Sequence, residues 1–232
     1  MNGAHDLGGR HGFGPVDRSQ TKDFEHLWEQ KVFSLTLACG MLGKWNLDQS
    51  RYARERTDPA HYLSSTYYEH WLHGLELLLV ENGLLSAQEL KNGISAGTPN
   101  TSPATTDKVN AILATGAPTL LQSSAVNRFA LDQTVVVKNQ NPKSHTRLPS
   151  YVHGAVGRVV KLHGSHIYAD AHASTGDKVP QHLYCVRFEG KSVWGNDAEP
   201  NSCVYVDLFE PYLLTLKEWS QTKSEFDQIQ GE

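Results

Sequence analysis

The sequence lacks the features that mark several large classes of protein. Lysine and arginine total 21 against 25 aspartates and glutamates, so there is no basic excess of the kind that binds nucleic acid or a membrane surface. No apolar run reaches the length of about 18 residues that a membrane-spanning helix requires. The opening residues, MNGAHDLGGRHGFGPV, have neither the basic nor the apolar segment of a secretory signal. We therefore expect a cytoplasmic protein that binds neither nucleic acid nor membranes.

Cysteine is scarce as well. The three residues Cys39, Cys185 and Cys203 are odd in number and widely spaced, and no C-x-x-C occurs. This usage excludes a disulfide framework and a zinc knuckle. It predicts buried free thiols, as is typical of a cytosolic protein.

The first half of the chain is predicted to be helical. Apolar residues recur at three- and four-residue steps over 24–43. A second helix is predicted to start with Asp48 as its N-cap and to stop before Pro59. Thr66 and Glu69 form a capping box at the start of the clearest helix.

The glycine-rich residues 1–19 cannot form a stable helix, and they carry almost no aliphatic side chains. We expect an extended arm that is either disordered or laid against a partner. Residues 93–127 are rich in Gly, Ser, Thr, Pro and Ala, which predicts a linker containing at most one short helix.

After Asn127 the pattern changes to short β-branched runs bounded by turns, namely TVVVKN, GRVVKLHG, HLYCVRFEG and SCVYVDLFE. Such runs predict a small all-β module, which we interpret as a barrel. The predicted class is thus α+β. It comprises an arm and helical domain (1–92), a linker (93–127), a β-barrel domain (128–213) and a polar C-terminal extension (214–232).

Twelve histidines raise the question of a metal site. His70 and His73 lie three residues apart on a predicted helix, and His163 and His166 lie in a predicted β-turn region. The H-E-x-x-H motif is absent, and spacing marks no third ligand. Hydrogen-bonded or surface histidines are the simpler interpretation, and a zinc hydrolase built on His70 and His73 is one alternative.

Two arginines stand out. Arg51 opens the cluster RYARER, in which Arg54 and Arg56 are expected at the surface, solvated or paired with Glu55 and Asp58. Arg147 lies in the loop NPKSHTRLPSYVHG, with no carboxylate near it in sequence. An arginine held in one position needs an anion, and the sequence places none beside Arg147.

The stretch TYYEHW, residues 66–71, puts three aromatic side chains in the first turns of a helix. Tyr67 and Tyr68 point about 100° apart on a helix, so both cannot face the same core. Buried tyrosine hydroxyls also need partners. The stretch is compatible with core packing or with one wall of a pocket.

Five stretches in this order resemble the β subunit of nitrile hydratase. They are MNGAHDLGG with GFGPV, RYARERTDPAHYLSSTYYEHW, NPKSHTRLPSYVHG, QHLYCVRFEGKSVWG and VYVDLFEPYL. The resemblance runs from Met1 to about Leu213 and leaves 214–232 uncovered.

The resemblance implies an enzyme that hydrates nitriles to amides. In the family the metal, Co(III) or Fe(III), is bound by the α subunit through a C-x-x-C-S-C claw with two oxidised cysteines, and Co(III) is the metal expected in the partner of this chain. This chain has no such claw and is expected to bind no metal itself. The implied partners are the α subunit, in an αβ heterodimer or an (αβ)2 heterotetramer, and a small nitrile. The β module would correspond to the family's SH3-like barrel.

The same resemblance assigns a part in catalysis to Arg51, Arg147 and Tyr67. The two guanidinium groups would hydrogen-bond to the oxidised sulfurs of the α subunit, and Tyr67 would donate to substrate or water. Tyr68, Trp71 and His70 would line the substrate pocket.

This sequence departs from the family at two positions near Arg147. Ser144 replaces a glycine, which would be strained if the position needed a positive φ. His153 replaces an arginine, which puts the local contacts with the α subunit in question. A second hypothesis is a non-catalytic SH3-like adaptor or metallochaperone for the α subunit. Such proteins resemble only part of the β chain.

Overall fold

The computed structural model of the chain describes residues 3–16, 18–19, 22–97 and 101–229, with 223–229 as backbone alone. The chain divides into two compact units. The helical unit contains residues 3–118 and 172–176, and the sheet unit contains residues 119–171 and those from 177 onward. The prediction of an α+β chain with a helical first half is confirmed. Among the described residues, no helix is both long enough and apolar enough to cross a membrane.

Helices make up most of the regular structure before the sheet. They are α1 (Leu27–Gly40), α2 (Leu47–Glu55), α3 (Pro59–Ser64), α4 (Tyr67–Glu81), α5 (Ala87–Asn92) and α6 (Thr106–Thr115). Three more occur later in the chain, namely α7 (Ala169–Ser174), α8 (Gly190–Trp194) and α9 (Leu216–Ile229). Helix α6 is the short helix expected within residues 93–127.

The capping predictions are right for α4 and wrong for α2. Thr66 and Glu69 form the predicted capping box at the start of α4. The N-cap of α2 is Asn46 rather than Asp48, because the Asn46 side chain accepts hydrogen bonds from the backbone N–H groups of Asp48 and Gln49.

Helix α3 was not predicted. Its N-cap is Asp58, whose carboxylate accepts from the backbone N–H groups of Ala60 and His61. Pro59 is the first residue of the helix, where its missing N–H costs nothing. The sequence does stop a helix before Pro59, since α2 ends at Glu55, but the same proline also begins the next one.

The core of the helical unit is small. Helix α4 packs against α1 and α2, and Gly74 allows its backbone to approach Arg54 closely. The buried apolar residues of helices α1, α2 and α4 are Val32, Ala53, Leu75 and Leu78. Large apolar side chains of the same unit are exposed, among them Phe13, Val16, Leu27, Leu35, Leu47, Leu63 and Tyr67.

The first described residues of the arm pack against helices of their own unit. The ring of His5 meets that of Tyr62 edge-on at 6.3 Å, and Asp6 is buried. Phe13 and Val16, farther along the arm, are exposed. The first residues of the arm therefore pack against this chain itself. The sequence predicted either a disordered arm or an arm laid against a partner, and neither describes this arrangement.

The sheet unit is a five-stranded antiparallel sheet. Its strands are β1 (Thr134–Val137), β2 (Val156–Ile167), β3 (Pro180–Glu189), β4 (Cys203–Phe209) and β5 (Leu213–Leu214). The strand order is β4-β3-β2-β1-β5, with β4 and β5 at the edges. The sheet is not closed, so the predicted barrel is not confirmed, although four of the strands lie where the β-branched runs predicted them.

One face of the sheet carries the core of this unit. Along β3 the buried residues alternate, with Tyr184, Val186 and Phe188 facing inward. Strand β2 has two register shifts against β3, one between Val159 and Lys161 and one between Leu162 and Gly164. Such irregularities bend a strand and re-aim its side chains.

Gly157 on β2 tests this packing. A Cβ atom at this position would lie 2.6 Å from side-chain carbons of Val186 and Phe188, both deep in the core. We expect Gly157→Ala to lower the free energy of unfolding by about 1–3 kcal/mol, measured by urea denaturation of the full chain.

The control is the same substitution at Gly40, the last residue of α1, where a Cβ would meet no atom within 4 Å. Gly40→Ala should leave stability unchanged or raise it by about 0.4–1 kcal/mol. Equal effects of the two substitutions would contradict the packing described for β2.

Candidate functional site

Arg51 lies on α2 and is paired within its own helix. One guanidinium nitrogen is 2.9 Å from Oδ1 of Asp48, one turn earlier, while the Arg51 side chain remains 42% exposed. No partner for Arg51 was predicted from the sequence, and the predicted N-cap of this helix was Asp48. With Asn46 in the capping position, the Asp48 carboxylate is available to Arg51.

Asp48 is buried and serves two side chains. Its second oxygen, Oδ2, is 2.8 Å from Nδ1 of His172. His172 is fixed in turn by its backbone carbonyl, which accepts from the Asn46 side-chain amide at 2.6 Å. A buried carboxylate is stable only when its oxygens are hydrogen-bonded, and these contacts meet that need. The carboxylate that pairs with Arg51 is therefore itself held in place, and the Arg51 side chain extends from it toward solvent.

The neighbouring arginines differ from expectation. The guanidinium of Arg54 lies 4.0 Å from the centre of the Trp71 ring, and burial lowers the pKa of Arg54. Arg56 makes two hydrogen bonds to the Glu81 carboxylate, at 2.7 and 2.9 Å. Of the two predicted states, solvated or paired with Glu55 and Asp58, Arg54 shows neither, and Arg56 pairs with a different carboxylate. The nearby charge of Arg51 adds a smaller lowering of the Arg54 pKa, since the two guanidinium groups lie on the same helix one turn apart.

The loop that carries Arg147 is buried on both sides of that residue. Leu148 is inaccessible, and His145 and Thr146 are buried. Arg147 itself is exposed, and within the described part of the chain its guanidinium makes no recorded hydrogen bond or ion pair. The loop is held in place while the charged group at its tip faces outward.

Tyr212 fixes this loop. Its buried hydroxyl accepts from the Arg147 backbone N–H at 3.1 Å and from the Thr146 hydroxyl at 3.2 Å. The same hydroxyl donates to Asp170, which also accepts from Tyr168 at 3.0 Å. Burial and the Asp170 charge raise the pKa of Tyr212, so the hydroxyl keeps the proton that it donates.

The two departures from the family near Arg147 both have ordinary backbone conformations. Ser144 is not among the non-glycine residues with positive φ, which are Asp132 and Asn201, so the strain considered for it is absent. His153 has a negative φ and follows the short helical turn Ser150–Val152. Neither residue forces the loop out of an ordinary backbone conformation.

The aromatic stretch at the start of α4 forms one cluster. Tyr67 is exposed and contacts the rings of Tyr68 and Trp71, at 5.1 and 5.8 Å between ring centres. Tyr68 also contacts Phe24, and Trp71 contacts Phe33. The cluster has a packed side and an open side, as expected from the 100° offset of the two tyrosines.

His70 is held beside this cluster in neutral form. Its Nε2 lies 3.1 Å from the carbonyl oxygen of Ser65, so Nε2 carries the proton, and its ring packs edge-on against Tyr62 at 4.1 Å. Burial, then the nearby His61, lower the pKa of His70. The folded state therefore favours neutral His70. The stability that this gives is present at higher pH and is lost as the pH falls through the lowered pKa of His70.

The structure does not support the zinc-hydrolase alternative. Where the side chains are described, the group of three possible metal ligands is His163, Cys185 and Asp207, and it includes neither His70 nor His73. His163 and His166 lie within strand β2 rather than in the predicted turn. The three cysteines are free and only partly buried, so the prediction of buried thiols is right only in part.

A cavity of about 210 Å³ lies in the helical unit, lined by Lys44, Tyr52, Arg56 and Glu81, among others. It includes none of the predicted pocket residues. Tyr67, Tyr68, His70 and Trp71 are brought together in the first turns of α4. Arg51 belongs to the helical unit and Arg147 to the sheet unit.

Sequence reasoning missed the residues that hold the two arginines, namely Asp48, His172, Tyr212 and Asp170. The spacing of Asp48 and Arg51, three residues apart on a helix, was a readable signal for one of these contacts. The other partners are distant in sequence, so no local pattern could have shown them.

Comparison with known proteins places these features in a class of heteromeric enzyme subunits. A family described as "Nitrile hydratase beta subunit, N-terminal" matches residues 1–115, and one described as "Nitrile hydratase beta subunit, C-terminal" matches residues 118–215. The chain is 39% identical to the nitrile hydratase subunit beta of Pseudomonas putida, over 92% of this chain and 99% of that protein.

Two further relatives agree. The low-molecular weight cobalt-containing nitrile hydratase subunit beta of Rhodococcus rhodochrous is 37% identical, over 92% of this chain and 99% of that protein. The cobalt-containing nitrile hydratase subunit beta of Pseudonocardia thermophila is 34% identical, over 92% and 96%. The chain belongs to the nitrile hydratase β-subunit family, and it acts as the β subunit of that hydro-lyase.

Both halves of the chain match the family, which argues against the adaptor or metallochaperone alternative. That hypothesis expected resemblance to only part of the β chain. The matches at 1–115 and 118–215 cover the helical arm-bearing half and the sheet half alike.

The support of the Arg147 loop can be tested at Tyr212. Tyr212→Phe removes the hydroxyl that joins Asp170 to Thr146 and to the Arg147 backbone. Because these groups are then left without a buried partner, we expect the free energy of unfolding to fall by about 1–3 kcal/mol in urea denaturation.

Tyr205→Phe is the matched control, because Tyr205 is 60% exposed on β4. It should change stability by no more than about 0.5 kcal/mol. Wild-type stability in Tyr212→Phe would show that the hydroxyl does not hold the loop.

Proposed function

We propose that this chain supplies Arg51 and Arg147 to the metal-binding cysteines of a nitrile hydratase α subunit, and that Tyr67 acts beside them. The observation that carries the proposal is the state of Arg147. Its loop is buried and hydrogen-bonded to Tyr212, yet its guanidinium points outward with no anion from the described part of this chain. An arginine fixed in this way is prepared for an anion that another chain provides.

Oxidised cysteines are suitable partners for these arginines. Sulfenate and sulfinate groups present negative oxygens close together. A guanidinium remains charged at all physiological pH values and offers forked N–H donors that bind two oxygens at once. Arg51, anchored through Asp48 and His172, would donate from the helical unit, and Arg147 from the sheet unit. Both would orient the metal's ligands and adjust its acidity.

The substrate wall is proposed to be the aromatic cluster of α4. Tyr67 is its most exposed member, so its hydroxyl is free to donate to a nitrile nitrogen or to a water molecule. Tyr68 and Trp71 would give the nitrile side chain an apolar surface. His70, held neutral against Ser65, would support the cluster rather than carry charge. The opposite wall would come from the α subunit.

The exposed apolar residues of the helical unit support an obligate partner. Phe13, Val16, Leu27, Leu35 and Leu63 would be buried by an α subunit, which would give this thin unit the burial that it lacks. We propose an αβ heterodimer, further paired as (αβ)2.

Cobalt is the metal that we propose for the complex, with iron as the alternative, because two of the relatives are named as cobalt-containing. The residues of this chain do not fit the role of the claw, since Cys39, Cys185 and Cys203 lie far apart in sequence. When bound in the α subunit, the metal would supply Lewis acidity toward the nitrile or a water molecule. The part of this chain is to hold, orient and donate hydrogen bonds.

We further propose that the open sheet is the family's SH3-like module, with the register shifts of β2 providing its curvature. We also propose domain boundaries after residues 92, 127 and 213. We propose a cytoplasmic location for the complex.

The first experiment is to express the chain alone and with its α subunit, and to measure amide formation from a small nitrile together with the metal content. We expect activity, with cobalt or iron, in the co-expressed complex alone. Nitrile hydration by the lone chain would mean that the metal centre is here and would overturn the proposal.

The second experiment replaces the forked donor by a point charge. We expect Arg147→Lys and Arg51→Lys, each assayed in the complex, to reduce kcat by about 10- to 100-fold with KM less affected, because the second hydrogen bond to the oxidised cysteines is lost. Metal content should be measured in each variant, so that weaker orientation is separated from metal loss.

Arg158→Lys is the control, because Arg158 on β2 is 61% exposed and makes only a loose 3.9 Å contact with Asp132. It should keep wild-type kcat. If Arg147→Lys also keeps wild-type kcat in a fully metallated complex, the role given to Arg147 is wrong.

A further inference from the structure

A second feature of the sheet unit is not used by the function described so far. His163, Cys185 and Asp207 lie on the outer face of the sheet, on the adjacent strands β2, β3 and β4. Each offers one atom of a kind that binds metal ions, and these atoms all lie within 4.8 Å of one another. The group combines an imidazole, a thiol and a carboxylate, rather than acidic residues alone.

The strand register explains how the three side chains meet. Cys185 on β3 is directly opposite Asp207 on β4, so both side chains project from the same face. On β2, the register shift between Leu162 and Gly164 leaves His163 as an extra residue without a partner on β3. This bulge turns the imidazole across β3, so that its Nε2 lies 2.9 Å from Oδ1 of Asp207.

The chemistry of the set points to one class of ion. Histidine nitrogen, cysteine sulfur and carboxylate oxygen bind Zn²⁺ at about 2.0–2.3 Å, and a tetrahedral arrangement then separates the ligand atoms by about 3.3–3.8 Å. The His163 Nε2 and Asp207 Oδ1 atoms are 2.9 Å apart and all three ligand atoms lie within 4.8 Å of one another, so these limits bracket that separation. Hard ions such as Mg²⁺ are disfavoured, because they prefer oxygen ligands throughout.

We propose that His163, Cys185 and Asp207 bind one divalent ion of the zinc class, with water as the fourth ligand. The site would join the three neighbouring strands β4, β3 and β2, on the β4 side of the sheet. This differs from the expectation that the chain binds no metal of its own, and it depends on neither Arg51 nor Arg147.

Binding has a defined proton balance. Without an ion, burial and the neighbouring Asp207 raise the pKa of Cys185, and Lys161 opposes them, so the thiol is protonated at neutral pH. The metal binds the thiolate, and the thiol proton passes to solvent. In such a site His163 would bind through an imidazole nitrogen and Asp207 through a carboxylate oxygen.

The test uses the co-expressed complex, freed of loosely bound metal and titrated with Cd²⁺, whose bond to a thiolate gives an ultraviolet charge-transfer band. We expect one additional equivalent bound through this chain, with its band abolished in Cys185→Ser. Affinity should fall at least tenfold in His163→Ala and in Asp207→Asn. Cysteines of the α subunit contribute a background that these variants leave unchanged.

Two controls match the ligands in type and neighbourhood. Cys203→Ser on β4 and His166→Ala on β2 should both titrate as wild type. Circular dichroism should confirm that every variant is folded. A band that survives in Cys185→Ser, or binding that is equally weak in all variants, would overturn the proposal.

A second measurement does not depend on variants. An ion that binds only the folded sheet stabilises it by mass action, so one equivalent of Zn²⁺ should raise the Tm of the wild-type complex. Cys185→Ser should show no such rise. A Tm that does not respond to Zn²⁺ in the wild type would count equally against the site.

Discussion

An arginine side chain cannot give up its charge to suit its surroundings, and the candidate site depends on this constraint. Each guanidinium must find an anion, a ring face or solvent. Arg56 hydrogen-bonds to the Glu81 carboxylate, Arg54 lies over the face of the Trp71 ring, and Arg51 pairs with Asp48. Arg147 is in the opposite situation, since its backbone is secured by Tyr212 and its charge is left to solvent. The fold fixes where the charge is and leaves its partner to be supplied from outside.

The helical unit shows the same incompleteness in its apolar residues. A few aliphatic side chains are buried between α1, α2 and α4, while much of the apolar surface of the arm and of α1 faces outward. A sheet unit with a full core stands in contrast, with Val135, Val159, Val186 and Leu208 wholly inaccessible. The exposed apolar surface of the helical unit and the exposed charge of Arg147 in the sheet unit are both features that the proposed α subunit would complete.

Local chemistry explains how much could be read from the sequence. Thr66 and Glu69 correctly predicted the start of α4, because a capping box lies within four consecutive residues. The β-branched runs located the long strands, because alternation is also local. Asp48 was misjudged, since Asn46 two residues earlier is an equally good cap and wins by making both backbone contacts. The choice between two candidate N-caps that lie two residues apart depends on backbone angles that the sequence does not show.

Features set by distant residues could not be read in this way. The hydroxyl of Tyr212 reaches Arg147 from 65 residues away, and His172 reaches Asp48 from 124 residues away. The sheet was expected to close, but closure depends on the curvature of β2 and on the very short β5. The position of His163 on the outer face follows from a bulge, and the bulge can be located only once the pairing of β2 with β3 is known.

Asp170 and His172 are separated by a single residue in the chain. One holds the tyrosine that secures the Arg147 loop, and the other holds the carboxylate beside Arg51. The backbone can separate two such residues by at most about 7 Å. Helix Ala169–Ser174 therefore carries one supporting residue for each arginine, although neither arginine lies in that helix. A single change in this short helix can therefore alter the support of both arginines, each within its own unit.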